Sequence, residues 1–147
     1  MNYTYYKSLG LIARKIARKI GEQLVENLQE NAIDIKADQW SVISMLRHKR
    51  ESSQKNISLE FGYDKVMVMR IVQSLIDKGL VTKKICKNDK RTRIITLTEA
   101  GDELYKRIEP IAEKTIREAI RSLSVREVEF YVQISETIIN NLDRKSG

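Results

Sequence analysis

From Tyr5 to about Gln29, apolar residues recur every three or four positions: Leu9, Ile12, Ile16, Ile20, Leu24 and Leu28. That spacing predicts one long amphipathic helix. Within it, Ile12-Ala13-Arg14-Lys15-Ile16-Ala17-Arg18-Lys19-Ile20 sets isoleucines on one face and bases on the other. The basic face of Arg14, Lys15, Arg18 and Lys19 reads as solvated, not as a membrane-surface face. A helix of about 37 Å is long for so small a chain, so its stripe predicts a partner helix. Asp38 is the expected N-cap of a second helix to about His48, burying Trp40, Ile43 and Met45 or Leu46. Lys49-Arg50-Glu51-Ser52 reads as a polar loop. Ser53 caps a short helix with Ile57 and Phe61 inward, and Gly62-Tyr63 makes a turn. Asp64 caps the following helix, whose core stripe is Val68, Ile71, Val72 and Leu75. Two short helices joined by a glycine-containing turn form a helix-turn-helix pattern.

After Gly79-Leu80 the period changes to two. Val81, Lys83 and Ile85 alternate with Thr82, Lys84 and Cys86, and Ile95 and Leu97 alternate with Ile94, Thr96 and Thr98. These are two strands with Asn88-Asp89 in the turn between them. Thr98 then caps a fifth helix, in which Pro110 predicts a kink or a new start. Ser124 and Glu127 have the spacing of a capping box and open a last amphipathic helix through Val128, Val132, Ile138, Ile139 and Leu142. The predicted fold is mainly α with a small β-hairpin wing. It is a winged helix-turn-helix flanked by N- and C-terminal helices whose stripes a monomer of this size does not cover.

Charge then narrows the partner. Of a net charge of +7, residues 78–93 carry +6, from Lys78, Lys83, Lys84, Lys87, Lys90, Arg91 and Arg93 against Asp89. Such a focused patch favours a polyanion. A helix with a polar N-terminal end beside a basic hairpin suits the two grooves of double-stranded DNA, helix in the major groove and wing in the minor groove or on the backbone. The single cysteine, Cys86, excludes an internal disulfide framework and suits a reducing compartment. No apolar run approaches the ~20 residues of a membrane span, and Met1-Asn2-Tyr3-Thr4 lacks a signal-peptide pattern. The expected location is cytoplasmic, without a membrane partner. There is no nucleophile–base pair, glycine-rich phosphate loop or His/Cys cluster, so neither an enzyme, a cofactor nor a structural zinc site is expected.

The order Asp64-capped helix, Lys78-Gly79-Leu80-Val81, Asp89-x-Arg91 and Leu97-Thr98-x-x-Gly101, with two further helices, resembles the MarR family of bacterial transcription regulators over essentially the whole chain. The resemblance implies a homodimer with residues 1–33 and 105–147 as dimerisation helices and 34–104 as the winged helix-turn-helix. It also implies a repressor that many family members release from DNA through a small, often aromatic, effector. Others in the family respond to cysteine oxidation or metal.

The resemblance makes Arg91 the wing-tip arginine, inserted in a minor groove, with Asp89 orienting it by an ion pair. Lys90 and Arg93 are expected on phosphates. Arg70 matches the recognition-helix arginine, on a guanine edge or a phosphate, and Lys65 lies near the backbone. Ser53 and Gln54 open the preceding helix, where free N–H groups suit a phosphate and Ser53 also caps. Val66, Met67 and Met69 stand where the family commonly has small hydroxyl or polar residues. Since these three cannot all face the core stripe, one or more of them is expected on the groove side in apolar contact with thymine methyl groups, the alternative being that Met67 or Met69 packs against the neighbouring helix. Cys86 reads as an ordinary strand cysteine. Tyr3, Tyr5, Tyr6 and Trp40 either line an aromatic effector pocket between the first two helices or pack a core or dimer interface. The competing function classes are a winged protein-interaction module and a non-specific DNA binder without effector sensing.

Overall fold

The computed structural model describes the backbone of residues 3–143, with side chains for Thr4 and residues 8–143. Tyr3, Tyr5 and Tyr6 therefore lie outside the described side chains. The order is α1 (Tyr3–Glu30), α2 (Ala37–Lys49), β1 (Glu51–Ser53), α3 (Gln54–Phe61), α4 (Lys65–Asp77), β2 (Val81–Ile85), β3 (Arg93–Leu97), α5 (Glu99–Ile120) and α6 (Val125–Asp143). The chain divides into two compact units, residues 1–115 and 116–147.

In the first unit, α2, α3 and α4 surround one apolar centre. Leu28, Ile43, Leu46, Ile57, Leu75, Ile95 and Ile108 are essentially sealed from solvent. Burying each such side chain contributes about 1.5–3 kcal/mol before chain entropy is counted. The α1 stripe is split. Leu24 and Leu28 enter the core, whereas Leu9, Leu11 and Ile12 remain about half exposed or more. The buried Asn27 amide, which donates to the Thr115 hydroxyl at 2.8 Å, ties the C-terminal half of α1 to α5.

Three local expectations change. The cap of α2 is Lys36, whose backbone N–H donates to Gln39 Oε1 at 2.9 Å. Asp38 lies inside the first turn and accepts from the Gln39 N–H. The expected loop at Lys49–Ser52 turns through Arg50 at φ 68° into a real strand. This β1 pairs antiparallel with β3, giving sheet order β1-β3-β2. Three residues are too few to show a period, and their pairing uses the otherwise open edge of β3. Finally, α5 runs unbroken through Pro110. Pro110 and Lys106 are both exposed, so the carbonyl without its i→i−4 donor lies on the solvent side.

In the second unit, α6 opens as expected from the capping box: Ser124 N–H donates to Glu127 Oε2 at 2.7 Å and Glu127 N–H to Ser124 Oγ at 3.3 Å. No residue of α6 is buried. Phe130, Tyr131, Ile134, Ile138, Ile139 and Leu142 are each more than 40% exposed.

Candidate nucleic-acid interface

The turn between α3 and α4 fixes how the second helix is presented. Ser53 accepts the Asn56 N–H at 3.1 Å and so caps α3. Gly62 ends α3 at φ 66°, a left-handed conformation that glycine adopts without a Cβ penalty. Ser58 Oγ donates to the Tyr63 carbonyl at 2.6 Å, and Phe61 stacks on Tyr63 at 5.4 Å. Asp64 then accepts the Met67 N–H at 2.8 Å. The start of α4 is thus set by its own cap and by the turn before it.

On α4, Val68, Ile71, Val72 and Leu75 are buried. The opposite face carries Lys65, Val66, Met69, Arg70 and Gln73, all exposed. Met67 is half-buried and packs against the core cluster, so it takes the packing alternative. Val66 and Met69 are the two of the three that stand on the solvent face. Only the helix's rotation about its axis, set by the buried stripe, decides between these positions.

A hollow of about 350 Å³ opens between α3 and α4, lined by Gln54, Lys55, Ser58, Leu59, Lys65 and Val68. Two lysines, Lys55 and Lys65, border it near the N-terminal end of α3, an arrangement that favours anions. Gln54 is half-buried, and its Nε2 is buried without a hydrogen-bond partner among the described residues.

Helix α4 and the β2–β3 hairpin are locked together at their junction. Leu80 N–H bonds to Leu75 O at 2.9 Å and Gly79 N–H to Ile76 O at 2.8 Å, a Schellman end with Gly79 at φ 71°. Thr98 N–H donates to Leu80 O at 3.0 Å, and its hydroxyl donates to Gly79 O at 2.7 Å. The same hydroxyl accepts the Gly101 N–H at 3.0 Å. One threonine therefore clamps the end of α4 to the foot of the wing while capping α5. The sequence strings Gly79-Leu80-Val81 and Leu97-Thr98-x-x-Gly101 meet at this knot.

The wing pairs β2 with β3 from Val81↔Leu97 to Ile85↔Arg93. Cys86 follows β2, half-buried, and its N–H donates to Thr92 O at 2.9 Å. At the tip, Asp89 corrects an expectation. Among the described residues it forms no ion pair with Arg91. Its carboxylate accepts the Arg91 backbone N–H and the Thr92 hydroxyl, each at 2.9 Å. These bonds hold the carboxyl below its usual pKa, the Arg91 N–H contributing most. Asp89 thus shapes the turn's backbone and leaves the Arg91 side chain exposed. Arg93 is half-buried and donates one guanidinium N–H to the Lys90 carbonyl at 2.8 Å, so it buttresses the tip. Lys90 is exposed. Lys78 turns away from the wing and binds the Asp34 carbonyl and carboxylate, at 2.8 and 3.2 Å.

The aromatic expectation keeps only Trp40 among the described side chains. It stacks on Tyr105 at 5.3 Å and lines an open hollow of about 390 Å³ with His48, Lys49, Glu60 and Phe61, between α2 and α3 and not between the first two helices as expected. Arg47 lies over the other aromatic member, 5.5 Å from the Tyr105 ring centre. No helix among the described residues is long and apolar enough to cross a membrane.

Residues 33–92 match the family model of the MarR family. The fold is shared with solved structures across nearly the whole chain. A mutant MarR from E. coli complexed with operator DNA superposes with a TM-score of 0.81 at 21% identity, covering 94% of this chain and 98% of that one. Wild-type apo MarR from E. coli gives 0.72 at 22% identity, covering 88% and 95%. BpsR of Bordetella bronchiseptica, whose DNA binding is regulated by 6-hydroxynicotinic acid, gives 0.78 at 19% identity, covering 88% and 91%.

Proposed function

We propose that this chain, which matches the MarR family model over residues 33–92 and shares the winged fold of a solved MarR structure, is a homodimeric, sequence-specific DNA-binding transcription regulator of that family. It acts as a repressor in the cytoplasm. The α4 face of Lys65, Met69 and Arg70 enters the major groove. Exposed Arg91 enters the adjacent minor groove, Lys90 meets phosphate, and Arg93 supports the tip. Ser53 and Gln54 bring the start of α3 to the backbone. The cations among these residues agree with the electrostatics of DNA binding, in which phosphate contacts position the protein and base edges specify the site.

The observation that carries this reading is the Thr98 clamp. It fixes the recognition helix and the basic wing at one spacing, as simultaneous engagement of two grooves requires. Dimerisation is supported by the uncovered apolar residues of α1 and, separately, of α6. A two-fold dimer reads a pseudo-palindrome with half-sites about one helical turn apart. Release by a small aromatic effector is supported by the ligand regulation of BpsR, a protein of the same fold.

The test is salt-dependent binding to the chain's own upstream DNA against shuffled DNA of equal length. A preference of ~10³ or more at physiological salt is expected. Equal, strongly salt-dependent binding to both, with no sequence enriched from random DNA, overturns sequence-specific regulation and leaves an electrostatic binder.

A further inference from the structure

The exposed face of α4 contains a feature that phosphate attraction does not account for. Val66 and Met69 lie three residues apart on it, 57% and 51% exposed, between Lys65 and Arg70. The helix's own core stripe is complete without them. Valine carries no hydrogen-bond donor or acceptor, and the methionine thioether is only a weak acceptor. In a major groove, this pair can therefore discriminate base pairs only by apolar contact. The apolar group displayed there is the thymine 5-methyl. The flanking cations match the phosphates on either side, and the first turns of a recognition helix are the part that reaches base edges.

Resting on the DNA-binding reading above, we propose that Val66 and Met69 read thymine methyl groups, making thymine at discrete positions of each half-site a determinant of operator choice. Met67, turned to the core, takes no part.

The experiment replaces thymine by deoxyuridine, one position at a time, in the sequence enriched from random DNA. Uracil keeps every hydrogen-bonding group of thymine and removes only the methyl. Binding should weaken roughly fourfold for each methyl removed from beneath these side chains. The penalty should vanish in a Val66→Ser, Met69→Ser double variant, whose circular dichroism and melting stay those of the parent because both side chains are exposed. If every uracil is tolerated while specific binding persists, the methyl-reading inference falls and the regulator reading stands. An undiminished penalty in the double variant also overturns it, since another residue then reads the methyl. Failure to enrich any sequence overturns both readings. A double variant that loses its fold is replaced by the two single variants, which must each reduce the penalty.

Discussion

Gly101 sits against the carbonyl of Leu80 so closely that a β-carbon at 101 would stand 2.1 Å from that oxygen. The obstacle is backbone, and Leu80 is itself held by Thr98 on one side and Leu75 on the other. The glycine is therefore required by approach and not by its own dihedral angles. Gly101→Ala should destabilise the protein by about 1–3 kcal/mol through overpacking. Denaturant unfolding checks this, and an unchanged midpoint would show that the α5–wing junction yields without cost.

Thr98→Val retains the shape of the side chain and removes the hydroxyl that bridges Gly79 and Gly101. A loss of about 1–2 kcal/mol is expected, since a cap and a carbonyl partner disappear together. DNA affinity should fall further than folding stability alone explains, because helix and wing lose their fixed spacing. Comparing affinity at temperatures where the variant is fully folded separates the two effects.

Arg91 and Arg93 should behave differently although they are two residues apart. Arg91→Ala removes an exposed charge and should leave hairpin structure unchanged. It should weaken DNA binding most at sites with a narrow minor groove, where the enhanced negative potential holds the guanidinium. Arg93→Ala removes the bond to the Lys90 carbonyl and should also increase hydrogen exchange at the tip. Equal exchange profiles in the two variants would contradict the division of labour.

The wing tip should respond to acid. The Asp89 carboxyl is held below its usual pKa by the Arg91 N–H and then by the Thr92 hydroxyl. The unfolded state takes up its proton first as pH falls. The contribution is therefore complete above the unfolded value of about 3.9 and is lost as pH drops through the lower folded value. Amide exchange at Arg91, corrected for intrinsic rates, should lose protection in that acid window and not between pH 6 and 8. In Asp89→Asn the acid-dependent change should be absent.

Ile138→Lys introduces a charge on the exposed apolar face of α6. Sedimentation of the parent chain should give a dimer at micromolar concentration, and the variant should shift toward monomer. A soluble, stable monomer of the parent would overturn the proposed assembly.

Periodicity is enough to locate the long elements, because helices and strands write different repeats into the chain. Val68, Ile71, Val72 and Leu75 announce the buried face of α4, and Asp64, Ser53 and Ser124 announce helix starts through local caps. The charge cluster at 78–93 locates the wing for the same local reason. Tertiary structure alone decides the matters that depend on distant partners. β1 exists because β3 offers it an edge. Asp89 bonds to backbone and not to the Arg91 guanidinium because the hairpin turn brings N–H groups to its carboxylate. Met67 faces inward while Val66 and Met69 face out, because packing fixes the rotation of α4. Gly79, Thr98 and Gly101 stand out in the chain by their spacing. Folding alone brings them together, since contact between a helix end and a wing base depends on the path of the chain between them.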